Sequence, residues 1–191
     1  MTLLQVMSDK DAGEVRLRTD DASTIRDELA TRGIAFERST VAPELDVSQP
    51  AERILARHAD QIAAINADGR YRHIDVAAIQ PDHDDPDWPA NAAAARSKFL
   101  AEHRHAEDEV RFFVAGRACF YLHLEPEVVA VVCESGDLLT VPAGTRHWFD
   151  MGSDPDVAAI RFFEREDGWI GDFTGDPIGQ RFPTLDQLAA T

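Results

Sequence analysis

The segment EHRHAEDEVRFFVAG, residues 102–116, carries His103 and His105 two positions apart, then a carboxylate at Glu109 and a guanidinium at Arg111. In extended backbone, side chains alternate between faces, so these four share one face if no bulge intervenes. Two imidazoles at that spacing reach one metal ion, and Glu109 supplies a hard oxygen donor. His147 follows the turn PAGTR in a later apolar segment, which in a closed barrel passes beside the first. Three neutral imidazoles and one carboxylate suit a first-row divalent ion such as Fe, Ni, Co, Mn or Zn. Four protein donors on an octahedral ion leave two positions open, as in a catalytic rather than a structural site.

The remaining histidines lack this pattern. His58 falls on a helix face, His73 near a strand start, His83 in an acidic loop, and His123 among apolar strand residues. They are read as structural or solvated. Asp82, Asp84, Asp85 and Asp87 lie in a loop whose prolines and missing glycine argue against a calcium-binding EF-hand.

The elements that must position the ligands divide into two zones and a tail. Residues 1–98 mix strands and helices. Glu14–Arg18 alternates like a strand. Asp20 or Asp21 caps a helix with Ile25 and Leu29 on one face, closed by Gly33. Ile34–Arg38 reads as a strand. A second helix is expected from about Pro50 to Ala67, with Ser48 or Gln49 before it and Gly69 after it. Ile54, His58, Ile62 and Ile65 fall near one stripe of it. PDHDDPDWP, residues 81–89, reads as a loop, and NAAAARSKFL, residues 91–100, as a short helix. Residues 99–165 then break into short strands: 108–114, 118–124, 127–133, 137–141, 147–151 and 157–164. Closely spaced glycine and proline turns separate them, one at Gly116-Arg117. Such spacing predicts a sandwich or barrel.

With 191 residues the chain can bury a substantial core, and a 44% hydrophobic share with ten Phe excludes compositional disorder. Asp and Glu number 35 against 19 Lys and Arg, a formal charge of −16. That balance repels nucleic acid and anionic membranes, and suits a monomer that binds a small molecule. Cys119 and Cys133 sit in apolar strand-like runs, expected to be reduced and buried, and could meet across neighbouring strands. The start, MTLLQVMSDKDAGEV, lacks a basic leader with a long apolar stretch, and no apolar run approaches the roughly 20 residues of a membrane span. A cytoplasmic protein is expected.

His103, His105, Glu109 and Gly116 meet the pattern H-x-H-x3-E-x6-G, and Gly136, Pro142, Gly144 and His147 meet G-x5-P-x-G-x2-H. Together they resemble the paired motifs of the cupin superfamily, a double-sheet jelly roll. Ser97 stands where the first motif usually opens with glycine, and Met151 where the second often ends in asparagine. Neither departure touches a ligand position. FLAEHRHAEDEVRFFVAG (99–116), VPAGTRHWFDMGSDP (141–155), DGWIGDFTGD (167–176) and RGIAFER (32–38) closely resemble the acireductone dioxygenase family of methionine salvage.

The resemblance implies a mainly β fold with some helix: a cupin jelly-roll barrel at 99–165, an N-terminal α+β part at 1–98 packed on it, and a tail at 166–191, all in one domain. It implies one Fe2+ or Ni2+ held by His103, His105, Glu109 and His147. It further implies O2-dependent cleavage of 1,2-dihydroxy-3-keto-5-methylthiopentene. In that family iron gives the 2-keto acid of methionine and formate; nickel gives methylthiopropionate, formate and carbon monoxide. It gives Glu102 a part in metal loading, Asp108 in passing on conformational change, and Arg111 in stabilising the substrate dianion. Phe149 and Trp169 are candidates to line the pocket of the methylthio tail, with core packing as the alternative, and Arg161 to orient the site from a neighbouring strand. A salt bridge is the alternative reading of Arg111. Two other functions stand beside this one: another metal-dependent cupin enzyme (a flavonol- or cysteine-type dioxygenase or a sugar isomerase) and a non-catalytic ligand-binding barrel.

Overall fold

A computed structural model describes residues 1–39 and 49–190. Ser48, one of the two residues expected before the second helix, lies outside them. In chain order the elements are β1 (Leu3–Ser8), β2 (Val15–Thr19), α1 (Ala22–Thr31), β3 (Ala35–Arg38), α2 (Ala51–Arg57), α3 (Ala59–Ile65), β4 (His73–Ile79) and α4 (Trp88–Ser97). Then come β5 (His103–Arg104), β6 (Glu109–Leu124), β7 (Glu127–Glu134), β8 (Asp137–Val141), β9 (Arg146–Asp150), β10 (Val157–Phe163), β11 (Asp172–Phe173) and α5 (Leu185–Ala189).

Two sheets share β6. One runs β11-β5-β9-β6-β7-β1-β2, and the other is built of β4, β10, the first half of β6, β8 and β3. Between them lies an apolar layer that includes Leu4, Val6, Phe36, Phe113, Phe120, Leu122, Val129, Val131, Leu139, Val141 and Val157. Each sheet is also covered outside. Trp148, Tyr121 and Met7 pack against Ile178, Phe182, Leu185 and Leu188 of the C-terminal segment. Phe112, Val114, Ile160 and Phe162 pack against Ile54, Ile62, Ile65 and Tyr71. Double coverage explains why β6 and β7 read as near-continuous apolar runs rather than alternating ones. Burying each such large side chain contributes about 1.5–3 kcal/mol.

The local signals act as expected at α1. Asp21 accepts the Thr24 N–H at 2.8 Å, and Gly33 closes the helix with φ of 76°. Four expectations change. First, the barrel is not confined to 99–165, because β1–β4 pair directly into both sheets. Second, the helix after Pro50 is bent into α2 and α3 at His58. That residue leaves helical geometry, its Nδ1 donating to Ile54 O at 2.9 Å and its ring meeting the edge of Phe112. Third, α4 begins at Trp88, inside the stretch read as loop, because Pro89 suits a first helical turn.

Fourth, Gly116 bends a strand without ending it. At φ of 61° it lies so close to the Asp156 carbonyl that a Cβ would stand 1.9 Å from that oxygen. The register slips beside it, between Ala158 and Ala159 of β10. The slip changes which parity faces the inter-sheet layer: Phe113 before it, Ala118, Phe120 and Leu122 after it. Cys119 and Cys133 are free and buried, and they lie in different layers, Cys119 outside and Cys133 inside, so they do not meet. Among the described residues no helix is long and apolar enough to cross a membrane.

Candidate metal centre

Three strands bring the predicted ligands to one end of the inter-sheet layer. In β9, His147 pairs with Leu122 of β6 on one side and with His103 of β5 on the other. Glu109 opens β6, pairing with Val141 of β8. His105 lies just beyond the end of β5, and the Ala106-Glu107 bend separates it from Glu109, so His103, His105 and Glu109 are not on one uninterrupted strand. Its carbonyl accepts the Gly144 N–H at 2.9 Å, which ties it to the turn before His147.

The donor atoms of His103, His105 and His147 all lie within 4.8 Å of one another. Glu109 Oε2 is 2.7 Å from His147 Nε2 and 3.5 Å from His105 Nε2. Each ring is tied at Nδ1 to a carbonyl: His103 to Ala101 at 2.8 Å, His105 to Ile170 at 3.0 Å, His147 to Thr145 at 2.8 Å. A carbonyl only accepts, so Nδ1 carries the proton and Nε2 keeps its lone pair, the tautomer a metal requires. Glu109 Oε2 and His147 Nε2 are buried and, despite their proximity, not aligned as a hydrogen bond. Buried polar atoms without partners are costly, and two aimed at a common point fit a cation between them. The residues thus fit a first-row divalent ion.

Charge is balanced within the cluster. Burial alone would raise the Glu109 carboxyl, but Arg111, His147 and His105 outweigh it and hold it well below the usual carboxylate range. Arg111 Nη2 lies 2.5 Å from Glu109 Oε1, leaving Oε2 to face the imidazoles. Burial and the neighbouring His147 lower His103. Burial would lower His147 as well, but Glu109 outweighs it and raises that imidazole.

This geometry has counterparts. A model of the ARD/ARD' family matches residues 5–171. The chain is 64% identical over 188 residues to acireductone dioxygenase 2 of Nocardia farcinica (strain IFM 10152), covering 98% of each. It is 46% identical over 191 residues to the acireductone dioxygenase of Saccharopolyspora erythraea, covering 100% of each. In structure it is similar to acireductone dioxygenase from Bacillus anthracis, which holds a cadmium ion in its active centre. That likeness has a TM-score of 0.75 and 27% identity, and covers 91% of this chain and 98% of that one. The chain belongs to the ARD/ARD' family. Its mainly β fold with a few helices is a cupin fold.

Of the other residues singled out in this family member, Arg111 alone touches the cluster. Its guanidinium also lies over the Phe163 ring, 5.1 Å from the centroid. Glu102 points away from the histidine cluster, accepting from Thr174 Oγ1 at 2.6 Å and facing His123 Nδ1 at 2.5 Å. Asp108 accepts the Ala143 N–H at 2.9 Å and pairs with Arg70 at 2.8 Å. Phe149 packs on Phe120, 4.8 Å between ring centroids, and Phe120 lies 6.1 Å from His147. Trp169 is 58% exposed. Arg161 pairs with Arg111 in register, but its guanidinium is held by both oxygens of Asp75 at 2.7 and 2.6 Å.

His123 has the structural role expected of it, buried beside Glu102 and away from the cluster. Sequence reasoning missed two neighbours of the cluster. The ring of Phe173 lies 5.4 Å from that of His103. The Ile170 carbonyl left no signal at all, since every residue has one. Phe173 does fall in the segment 167–176 that carries the family resemblance, which is the one cue that could have found it.

Proposed function

We propose that this protein is an acireductone dioxygenase, with one Fe2+ or Ni2+ held by His103, His105, Glu109 and His147. The observation that carries the reading is the cluster of three imidazoles, their donor atoms within 4.8 Å of one another and every Nδ1 tied to a carbonyl, with Glu109 Oε2 2.7 Å from His147 Nε2 and 3.5 Å from His105 Nε2. Family membership supplies the substrate class, 1,2-dihydroxy-3-keto-5-methylthiopentene with O2, in methionine salvage. The products would follow the metal: the 2-keto acid of methionine and formate with iron, or methylthiopropionate, formate and carbon monoxide with nickel.

When bound, the metal would supply Lewis acidity and a template that brings the doubly deprotonated enediol to oxygen. The chain's own residues do the rest. Arg111 holds Glu109 from one side, and its permanent charge favours the dianionic over the neutral substrate. Burial of the donors, all under 10% exposed, excludes bulk water and strengthens that charge. Phe149, with Trp169 from the segment after β10, would take the methylthio tail, while Arg161 steadies the strand beside Arg111. Asp108, bridging Arg70 and the turn at Ala143, would couple that turn to the centre, and Glu102 would assist metal loading. The charge of −16 and two free buried cysteines support a monomeric cytoplasmic enzyme without nucleic-acid or membrane partners.

Protein loaded separately with Fe2+, Ni2+ and Co2+ should consume oxygen and bleach the absorbance of the enediol generated anaerobically. Product analysis then assigns the metal's part. His103→Ala should lose metal and activity together. No turnover with any of the three metals would sink the reading.

A further inference from the structure

The side chains of Trp169 and Ile170 are 58% and 56% exposed, yet the Ile170 carbonyl sets the protonated nitrogen of His105. Their own packing therefore does not hold that carbonyl in place. The segment that carries it is gripped at its ends. At the far end, Thr174 N–H and Oγ1 both donate to Glu102, at 3.0 Å to its carbonyl and 2.6 Å to its carboxylate. Between, Asp172 and Phe173 pair with Arg104 and His103, and Gly171 lies so close to the His103 ring that a Cβ would stand 3.1 Å from Cδ2.

The near end is held by a residue to which nothing above gives a role. Glu107 is buried, 7% exposed, in the bend between His105 and Glu109. Its Oε2 accepts the Glu164 N–H at 2.5 Å. Its Oε1 has no hydrogen-bond partner; Arg165 Nε stands 3.6 Å away, and the backbone of Gly168 closes over the carboxylate. A Cβ at Gly168 would fall 1.9 Å from Oε1 and 2.4 Å from Cδ. From there two tight turns, Gly168 N–H to Arg165 O and Ile170 N–H to Asp167 O, lead directly to the Ile170 carbonyl.

We propose that Glu107 is a positioning residue for the metal centre: it locks residues 164–170 so that the Ile170 carbonyl keeps His105 protonated at Nδ1 with Nε2 free for metal. A buried carboxylate on a chain already bearing many negative charges is costly, and at this bend the contacts it makes offset that cost. The inference rests on the metal-centre reading above and adds to it the device that selects one ligand's tautomer.

The test uses the full chain, metal-free and then titrated with Co2+. Imidazole 15N spectra report the tautomer of each histidine. In Glu107→Ala the anchor is gone; in Gly168→Ala the same contact is pushed apart from the other side, at a glycine whose backbone does not demand glycine. Both should turn His105 from the Nδ1–H form into a mixture of tautomers. His103 and His147, whose carbonyl partners lie outside the segment, should stay unchanged. Co2+ affinity should fall about 10–100-fold, the usual cost of losing such a partner. Glu107→Gln keeps an acceptor for Glu164 N–H and should restore His105 and most of the affinity. Unchanged His105 spectra and wild-type affinity in both Glu107→Ala and Gly168→Ala would overturn the proposal, as would equal disturbance of all three histidines. If Glu107→Ala does not fold, Gly168→Ala decides alone. Wild-type protein that takes up no Co2+ would overturn the metal-centre reading, with the tautomer result still reporting on Glu107.

Discussion

Arg111 Nη2 lies 2.5 Å from Glu109 Oε1, so the positive charge nearest the centre is already half-engaged by a ligand candidate. Both readings of Arg111 made from sequence, salt bridge and substrate contact, meet in this one side chain. The guanidinium fork leaves further N–H groups for an anionic substrate. Arg111→Gln should lower kcat/KM by about 10²–10³-fold, as for loss of one charge-stabilising donor. Arg111→Lys should recover part of this, since charge returns without the fork. Steady-state kinetics alongside metal content separates the two roles. Unchanged kcat/KM in Arg111→Gln would remove Arg111 from the reaction.

Metal uptake should depend on pH through His147 more than through Glu109. Glu109 is held ionised well below the usual carboxylate range, so it does not titrate near neutrality. His147 is lowered by burial but raised further by Glu109, so it keeps a proton above its ordinary value of about 6.5. A metal must displace that proton. Co2+ affinity should climb with pH through the neutral range and level off once His147 is neutral. In the metal-free protein the sign is opposite: the His147–Glu109 pair stabilises the fold below the ordinary imidazole value and loses that contribution as pH rises through the raised one. Glu109→Gln should weaken Co2+ binding and move the plateau to lower pH, because the raising charge is gone. Titrations from pH 5 to 8.5 read both effects; a plateau at the same pH in wild type and variant would refute the assignment.

The centre was legible where side-chain type carried the information. His103, Glu109 and His147 are residues whose chemistry and spacing pointed to one site before any fold was known, and the structure brings them together. Continuity was not legible. Gly116-Arg117 reads as a turn, yet ladder bonds on both sides keep β6 intact, and a single-residue register slip is invisible in an apolar run where both parities are buried. LLQVMS, β1, carries no local signal of its pairing; its role as an inner strand depends on β7, some 125 positions away. Glu102 and His123 likewise meet across strands 21 residues apart, and no local pattern links them.

Asp150 should be the most acid-sensitive tie in the outer layer. Burial would raise its carboxyl, but Arg96, at 2.6 and 2.9 Å, and the N–H groups of Leu185 and Gly152 outweigh this and lower it. A lowered carboxyl stabilises the fold above its unfolded value near 4 and loses that contribution as pH falls through the folded value. Asp150→Asn leaves Arg96 facing a neutral partner in a largely buried position and should cost about 2–4 kcal/mol. At roughly 2–4 °C per kcal/mol for a chain of this size, Tm should fall by about 4–16 °C at pH 7. The difference from wild type should shrink below pH 4; a constant gap across pH would mean the charge is not what ties α4 and α5 to β9.

Gly116→Ala tests whether one glycine sets the parity of the site. Its φ of 61° disfavours any side chain, and the Asp156 carbonyl occupies the place of a Cβ. Strain and overlap together should cost about 2–4 kcal/mol. Relief by straightening β6 is blocked by topology: it would turn Phe120 and Leu122 away from the inter-sheet layer while Glu109 and Arg111 stayed at its end. The variant should therefore keep its sheet registry and lose stability, with the same denaturant m-value and a lower midpoint. An unfolding free energy within about 0.5 kcal/mol of wild type would show that the bend is made by the register slip alone, not by the glycine.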